Sequence, residues 1–195
     1  VRFSHRRNIT IKWCCGTSQK KELIFMADIQ ELNIANLDEL TEFLLPQYAN
    51  TYPNERGITR EMFENEVFYH HLKGYLEVRL GERDIQLYCA KKDNEIIATI
   101  GISLEKGFPE LWAFYVDNKV QNQGVGRKLF EHTMENPILK EAKRIELTVA
   151  KDSLRAIEFY KRNGFNIIRE EEWDWPSWVD VVIKNQYWVM EILTD

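Results

Sequence analysis

Residues 110–127 read as a strand that runs into a helix through a glycine-punctuated loop, and this unit constrains the chain more than any other stretch. Glu110–Asp117 is dense in aromatic residues and runs out at Val116-Asp117. A polar loop, Asn118–Asn122, follows. Gly124 and Gly126 then open a helix that carries Val125, Leu129 and Met134. Glycines at a helix start let backbone N–H groups crowd around an anion, and the helix dipole favours a phosphate there. Arg127 and Lys128 add positive charge. The spacing departs from a dinucleotide fingerprint, which wants a third glycine where Leu129 stands, and from a P-loop, which wants four residues between its glycines. For the loop alone, a plain glycine-rich turn is the competing reading.

The rest of the chain supplies the frame. Asp28–Asn33 alternates as a first strand would. Asn36 with Glu39 three residues later predicts a helix start, followed by Leu37, Leu40 and Leu44 at helical spacing, with Pro46 as its end. Thr59 reads as the cap of a second helix over Thr59–Leu72. Ile85–Lys91 and Ile96–Ser103 flank the turn-rich Lys92-Asp93-Asn94-Glu95, a hairpin. Arg144–Ala150 alternates Ile145, Leu147 and Val149 as a buried strand. Asp152–Arg162 reads as a helix that Asn163-Gly164 stops, with Phe165 as the apolar residue after the cap. Phe165–Glu170 and Tyr187–Leu193 read as closing strands. This order predicts an α/β sandwich around a mixed sheet.

Composition limits the classes of function. A chain of 195 residues favours one domain and can bury a core without disulfides or metals. Residues 1–25 hold six Lys/Arg and one acid; taken from totals of 26 and 31, they leave 20 basic and 30 acidic residues for 26–195. That change of sign, with no periodicity before Met26, makes 1–25 an expected non-native or disordered leader and 26–195 the domain. An acidic body argues against nucleic acid as a partner and draws cationic substrates if its charge lines a cleft. Cys14, Cys15 and Cys89 make neither a disulfide framework nor metal-ligand spacing with the histidines, so no metal is expected and a reducing, cytoplasmic setting fits. No run approaches the length of a membrane span, so no membrane partner is expected.

Gln121-x-x-Gly124-x-Gly126 is similar to the Gln/Arg-x-x-Gly-x-Gly/Ala signature of the GNAT superfamily of N-acetyltransferases. About 30 residues on, Ala156-Ile157-Glu158-Phe159-Tyr160 and then Gly164-Phe165 resemble the family's second signature. The resemblance implies a mixed, mostly antiparallel sheet flanked by helices, the GNAT-like acyl-CoA N-acyltransferase fold. It implies acetyl-CoA as co-substrate. The backbone amides of Gln121, Asn122, Gln123, Gly124, Val125, Gly126 and Arg127 would hold its pyrophosphate. Phe114 and Val116 would lie along the pantetheine arm, with the Val116 N–H as oxyanion donor. Ser153 stands where many members carry an Asn that contacts the cofactor, and Asn122 where Gly is frequent. Tyr160 matches the tyrosine that protonates the departing thiolate, against a core aromatic as the plain alternative. Glu110 stands where many members place a base, against an exposed strand-end glutamate.

Simple alternation places Glu110, Trp112, Phe114 and Val116 on one face of the strand. Trp173-Asp174-Trp175-Pro176-Ser177-Trp178 reads as a connecting loop rich in tryptophan, where Trp112, Trp173 and Trp175 would line an acceptor site; a homodimer contact or a satellite core is the other reading. With Glu170, Glu171, Glu172 and Asp174 beside it, the segment suits a cationic amine acceptor, polyamine-like or on a peptide. The expected reaction is acetyl transfer to that amine by direct attack in a ternary complex. The rival is a non-catalytic acyl-CoA-binding module on the same fold.

Overall fold

The computed structural model describes residues 27–175, 178 and 183–194; of Trp175 it describes the backbone only. The expected leader, 1–25, and its boundary at Met26 lie outside the described residues. A seven-stranded sheet runs in the order β1-β2-β3-β4-β5-β7-β6. Its strands are β1 (Asp28–Glu31), β2 (Ile85–Lys92), β3 (Glu95–Ser103), β4 (Glu110–Val116), β5 (Arg144–Ala150), β6 (Asn166–Trp175) and β7 (Ile183–Leu193). Every neighbouring pair is antiparallel except β4 and β5. The predicted mixed, mostly antiparallel sheet flanked by helices is therefore borne out.

Helices α1 (Leu37–Thr51) and α2 (Glu66–Gly81) cover one face, burying Leu40, Leu44, Phe68, Leu72 and Leu76 against Leu87, Cys89 and Ile96. Helices α3 (Val125–Met134), α4 (Pro137–Glu141) and α5 (Leu154–Arg162) cover the other, burying Leu129, Phe130, Leu139, Ile157 and Tyr160 against Ile100, Leu111, Ile145, Leu147 and Met190. Burial of these apolar side chains favours the packing of the helices on both faces, since apolar surface removed from water stabilises by about 25 cal/mol per Å².

Four local expectations change. Pro46 lies inside α1 instead of ending it. Its missing N–H and ring cost roughly 3 kcal/mol in a helix interior, but Leu40, Phe43, Leu44 and Ala49 are buried on both sides of it and hold the turns together. Asn36 caps backward: its Oδ1 accepts from the Asn33 N–H at 3.1 Å, leaving α1 without a side-chain cap. Thr59 caps nothing; a single helical turn, Arg60–Met62, follows it, and α2 begins after Asn65, whose Oδ1 accepts from Phe68 N–H at 2.9 Å. That helix runs on to Gly81 because Phe68, Leu72 and Leu76 extend one buried stripe. The hairpin turn is as read: Asp93 and Asn94 both have positive φ, at 51° and 70°, as a two-residue type I′ turn requires.

The tryptophan segment is not a connecting loop as far as Trp175. Strand β6 extends through Trp173 and Trp175, which pair with Asn185 and Ile183 of β7. Tryptophan favours strands, and the continuous register outweighs the polar residues between.

Candidate active site

Strands β4 and β5 pair only at Glu110↔Glu146 and Leu111↔Leu147, and beyond that they part. The wedge between their carboxyl-terminal ends leaves every β4 residue after Leu111 only half-buried, although β4 is the middle strand of the sheet. Its direction of opening follows from the ladder with β3. Asp117 N–H donates to Ile97 O at 2.9 Å, and bonded and non-bonded pairs alternate along an antiparallel ladder. The Ala98↔Val116 pair is thus non-bonded, and the Val116 N–H is directed away from β3 into the wedge.

A bulge divides the two faces of β4. The register passes from Gly101↔Trp112 to Thr99↔Tyr115, leaving one extra residue on β4, and Ala113 takes φ 48° to accommodate it. Thr99 Oγ1 donates to the Ala113 carbonyl at 2.8 Å and holds the bulge. Alternation breaks there, so Glu110, Trp112, Phe114 and Val116 do not share a face. Leu111, Phe114 and Val116 join the core under α3 and α5; Trp112 and Tyr115 join the core under α1 and α2.

At the mouth of the wedge the loop after β4 turns into α3. Asn122 and Gly124 adopt positive φ, 59° and 88°. Among the described residues, the N–H groups of Asn122, Gly124, Val125, Gly126 and Arg127 find no backbone acceptor, whereas those of Gln121 and Gln123 are used by Asp117 O and Val120 O. The Gln121 side chain is a brace: its Nε2 donates to Val116 O at 3.1 Å and to Asn118 Oδ1 at 2.7 Å. Arg127 is exposed and paired with Glu131. N–H donors left without a backbone acceptor around a helix start suit an anion.

On the α5 side of the wedge, Tyr160 packs 6.3 Å from Phe114 and 5.9 Å from Phe165, ring centre to ring centre. Burial pushes its hydroxyl well above the ordinary phenol value, so it stays protonated. Ser153 precedes α5 and makes no side-chain cap bond.

On the opposite side, Tyr52 and Tyr115 share a hydroxyl–hydroxyl hydrogen bond of 2.6 Å, with the Tyr48 ring 5.4 Å from Tyr115. Asn185, fully buried, donates from Nδ2 to Tyr187 Oη at 2.9 Å and accepts from Asn54 and Arg56. Burial raises the Tyr187 hydroxyl; the Asn185 amide and the Arg56 charge pull it part of the way back. Trp173 stacks on Tyr187 at 4.5 Å and donates from Nε1 to Glu171 Oε2.

Trp112 lies farther off, its indole 4.9 Å under the Arg79 guanidinium and packed on Gly101. Glu110 stands at the paired end of the two strands, where its Oε1 accepts from Lys106 Nζ at 2.8 Å and Thr148 Oγ1 at 3.3 Å. Trp178 belongs to the α2 core, 4.6 Å from Phe68. Sequence reading passed over Tyr52, Arg56, Tyr115, Asn185 and Tyr187; only Tyr48 and Tyr52, four apart on one helix, carried a local signal.

Residues 37–165 match the Acetyltransferase (GNAT) family. The uncharacterized protein YxbD of Bacillus subtilis (strain 168) is 29% identical over 77 residues, which are 40% of this chain and 47% of YxbD, so the match spans about half that relative's length. PaiA N-acetyltransferase from Thermoplasma acidophilum, solved in complex with coenzyme A, has the same fold: TM-score 0.63 and 20% identity, covering 86% of this chain and 98% of that one. The ribosomal-protein-S18-alanine N-acetyltransferase of Escherichia coli is alike in fold, with TM-score 0.63 and 18% identity over 87% of this chain and 95% of that one. With the family match running from α1 through the cradle to the Gly164-Phe165 turn, the chain belongs to the GNAT acetyltransferase family.

Proposed function

We propose that this protein transfers an acetyl group from acetyl-CoA to a primary amine of a small molecule or peptide, by direct attack in a ternary complex. One observation carries the reading: the wedge between β4 and β5 receives the Val116 N–H from its wall, and five unused N–H donors stand at its mouth. Asn122, Gly124, Val125, Gly126 and Arg127 would hold the pyrophosphate, with Ser153 on the far side, and Phe114 and Val116 would flank the pantetheine. Bound there, acetyl-CoA supplies an activated acyl group as its thioester.

The residues then divide the work. The Val116 N–H offers a hydrogen bond to the carbonyl oxygen as negative charge develops on it. Tyr160, kept protonated by burial, donates to the leaving sulfur. An alkylammonium has a pKa of roughly 10 and must lose a proton first; Glu110 would take it directly or through water. The acidic body favours an acceptor that arrives as a cationic amine. Trp173, on Tyr187, walls the acceptor side; Trp112, under Arg79, is assigned to packing.

Thiol release from acetyl-CoA, followed with a panel of polyamines, amino acids, aminoglycosides and peptide N-termini, tests the reading. Amine-dependent release supports it. Tight acetyl-CoA binding with no release for any amine would make the protein a non-catalytic acyl-CoA-binding module.

A further inference from the structure

The segment between α1 and the Arg60–Met62 turn crosses the open end of the wedge and is tied to both of its walls. Asn54 Nδ2 donates to Tyr52 O at 3.1 Å and to Asn185 Oδ1 at 3.2 Å, and Asn54 Oδ1 accepts from the Arg56 N–H at 3.0 Å. Tyr52 reaches β4 through the Tyr115 hydroxyl. Arg56 Nη2 donates to Asn185 Oδ1 at 2.9 Å and pairs with Asp152, just past the end of β5. Gly57 turns the chain with φ 106°, a conformation that favours glycine.

The guanidinium is thus fixed by one nitrogen alone. Among the described residues, its Nε and Nη1 donors have no partner, and its side chain keeps 30% of its exposure. Either fork of a guanidinium, Nε with Nη2 or Nη1 with Nη2, holds a planar oxyanion with two parallel hydrogen bonds, so an oxyanion that displaces Asp152 from Nη2 finds a second donor free beside it. Asp152, half-exposed, is a weak internal occupant of the same group, because solvent screens so open an ion pair and lets it exchange. Tyr187 and Trp173 floor the space beside it.

We propose that Arg56 reads an oxyanion on the acceptor. The amine entering the wedge then belongs to a small molecule that also carries a carboxylate or a phosphate, and a bare polyamine is a poor substrate. Arg56 is a specificity-determining residue, and Asp152 holds its place until the acceptor arrives. This inference rests on the acetyltransferase reading above.

Matched amine pairs test it: lysine against cadaverine, ornithine against putrescine, and phosphoethanolamine against ethanolamine. The carboxylate and phosphate arms tell the two oxyanions apart. At least one oxyanion-bearing member is expected to exceed its partner by about tenfold or more in kcat/KM, as one bidentate pair allows. Arg56→Lys, which keeps the charge and loses the fork, is expected to shrink that ratio to about threefold or less. Asp152→Asn is expected to act in the opposite sense, lowering the KM of the oxyanion-bearing acceptor several-fold. Thermal melts confirm that both variants are folded at assay temperature. Equal rates within every pair, a ratio that survives Arg56→Lys, or a raised acceptor KM in Asp152→Asn overturns the role of Arg56 while acetyl transfer stands. No thiol release with any amine overturns both.

Discussion

A β-carbon built on Gly126 would lie 2.9 Å from Val116 Cγ2, closer than side-chain atoms pack. Helix α3 therefore rests on β4 at the point where the N–H cradle opens. Val116 is β-branched and cannot swing aside freely. Gly126→Ala is expected to cost about 1–3 kcal/mol as overpacking. It should also weaken coenzyme A binding by pushing the donors of 124–127 out of line. Thermal unfolding with a calorimetric titration checks both, and a folded variant with undiminished affinity would count against the cradle.

Tyr160→Phe is expected to lower kcat about ten- to a hundredfold, toward the small end of general-acid effects because a thiolate leaves fairly readily. The dissociation constant for acetyl-CoA should move little. Because burial raises the hydroxyl above its ordinary 10.0, Tyr160 should add no limb to the pH–rate profile below that value. Single-turnover kinetics, which isolate chemistry, are the measurement; full turnover there removes Tyr160 as the donor.

Glu110→Gln is expected to reduce kcat/KM for the amine by about a hundredfold near neutral pH. The deficit should shrink as pH approaches the amine's own pKa of roughly 10, where the acceptor arrives already deprotonated. If Glu110 serves only to link Lys106 and Thr148, the loss will be small and the same at every pH.

Alkaline pH should unfold the protein through its buried acids. Burial pushes the Cys89 thiol from 9.0 to about 11 and lifts the Tyr48, Tyr52 and Tyr115 hydroxyls above 10.0. Between those values the unfolded chain releases protons that the folded one keeps, so unfolding becomes easier as pH rises. The stabilisation is complete below the ordinary thiol value of 9.0 and is lost through about 11 for Cys89. Urea midpoints measured across that range should be flat below it and fall within it. Cys89→Ala should flatten the first part of the fall, and an unchanged slope would exclude Cys89 as its source.

The residues that sequence alone located are those whose signal is local. Asp93-Asn94 specifies its turn by chemistry, and Gly164, with φ 91°, ends α5 where a left-handed cap is needed. The loop through Gly124 and Gly126 announces itself in the same way. The bulge at Ala113 does not: alanine is not a residue expected at positive φ, and its cause is Thr99 on a neighbouring strand. That one hidden residue is why alternation placed Glu110 and Trp112 with Phe114 and Val116. The Arg56, Asn54 and Asn185 cluster was hidden differently, since Asn54 and Asn185 stand 131 positions apart and meet only after the sheet forms. Thr59 and Asn65 are both of capping types, so residue type alone does not say which of them starts α2.

Two register pairs, Glu110↔Glu146 and Leu111↔Leu147, are the whole backbone seam between β1–β4 and β5–β7. The sheet is in effect two ribbons joined by one short stitch, each ribbon laced internally by long antiparallel ladders. Amide exchange should be slowest along the ladders and fastest for protons facing the seam, since local opening there breaks the fewest bonds. A bulky molecule can then be admitted and released by flexing the stitch, with neither ribbon unravelling.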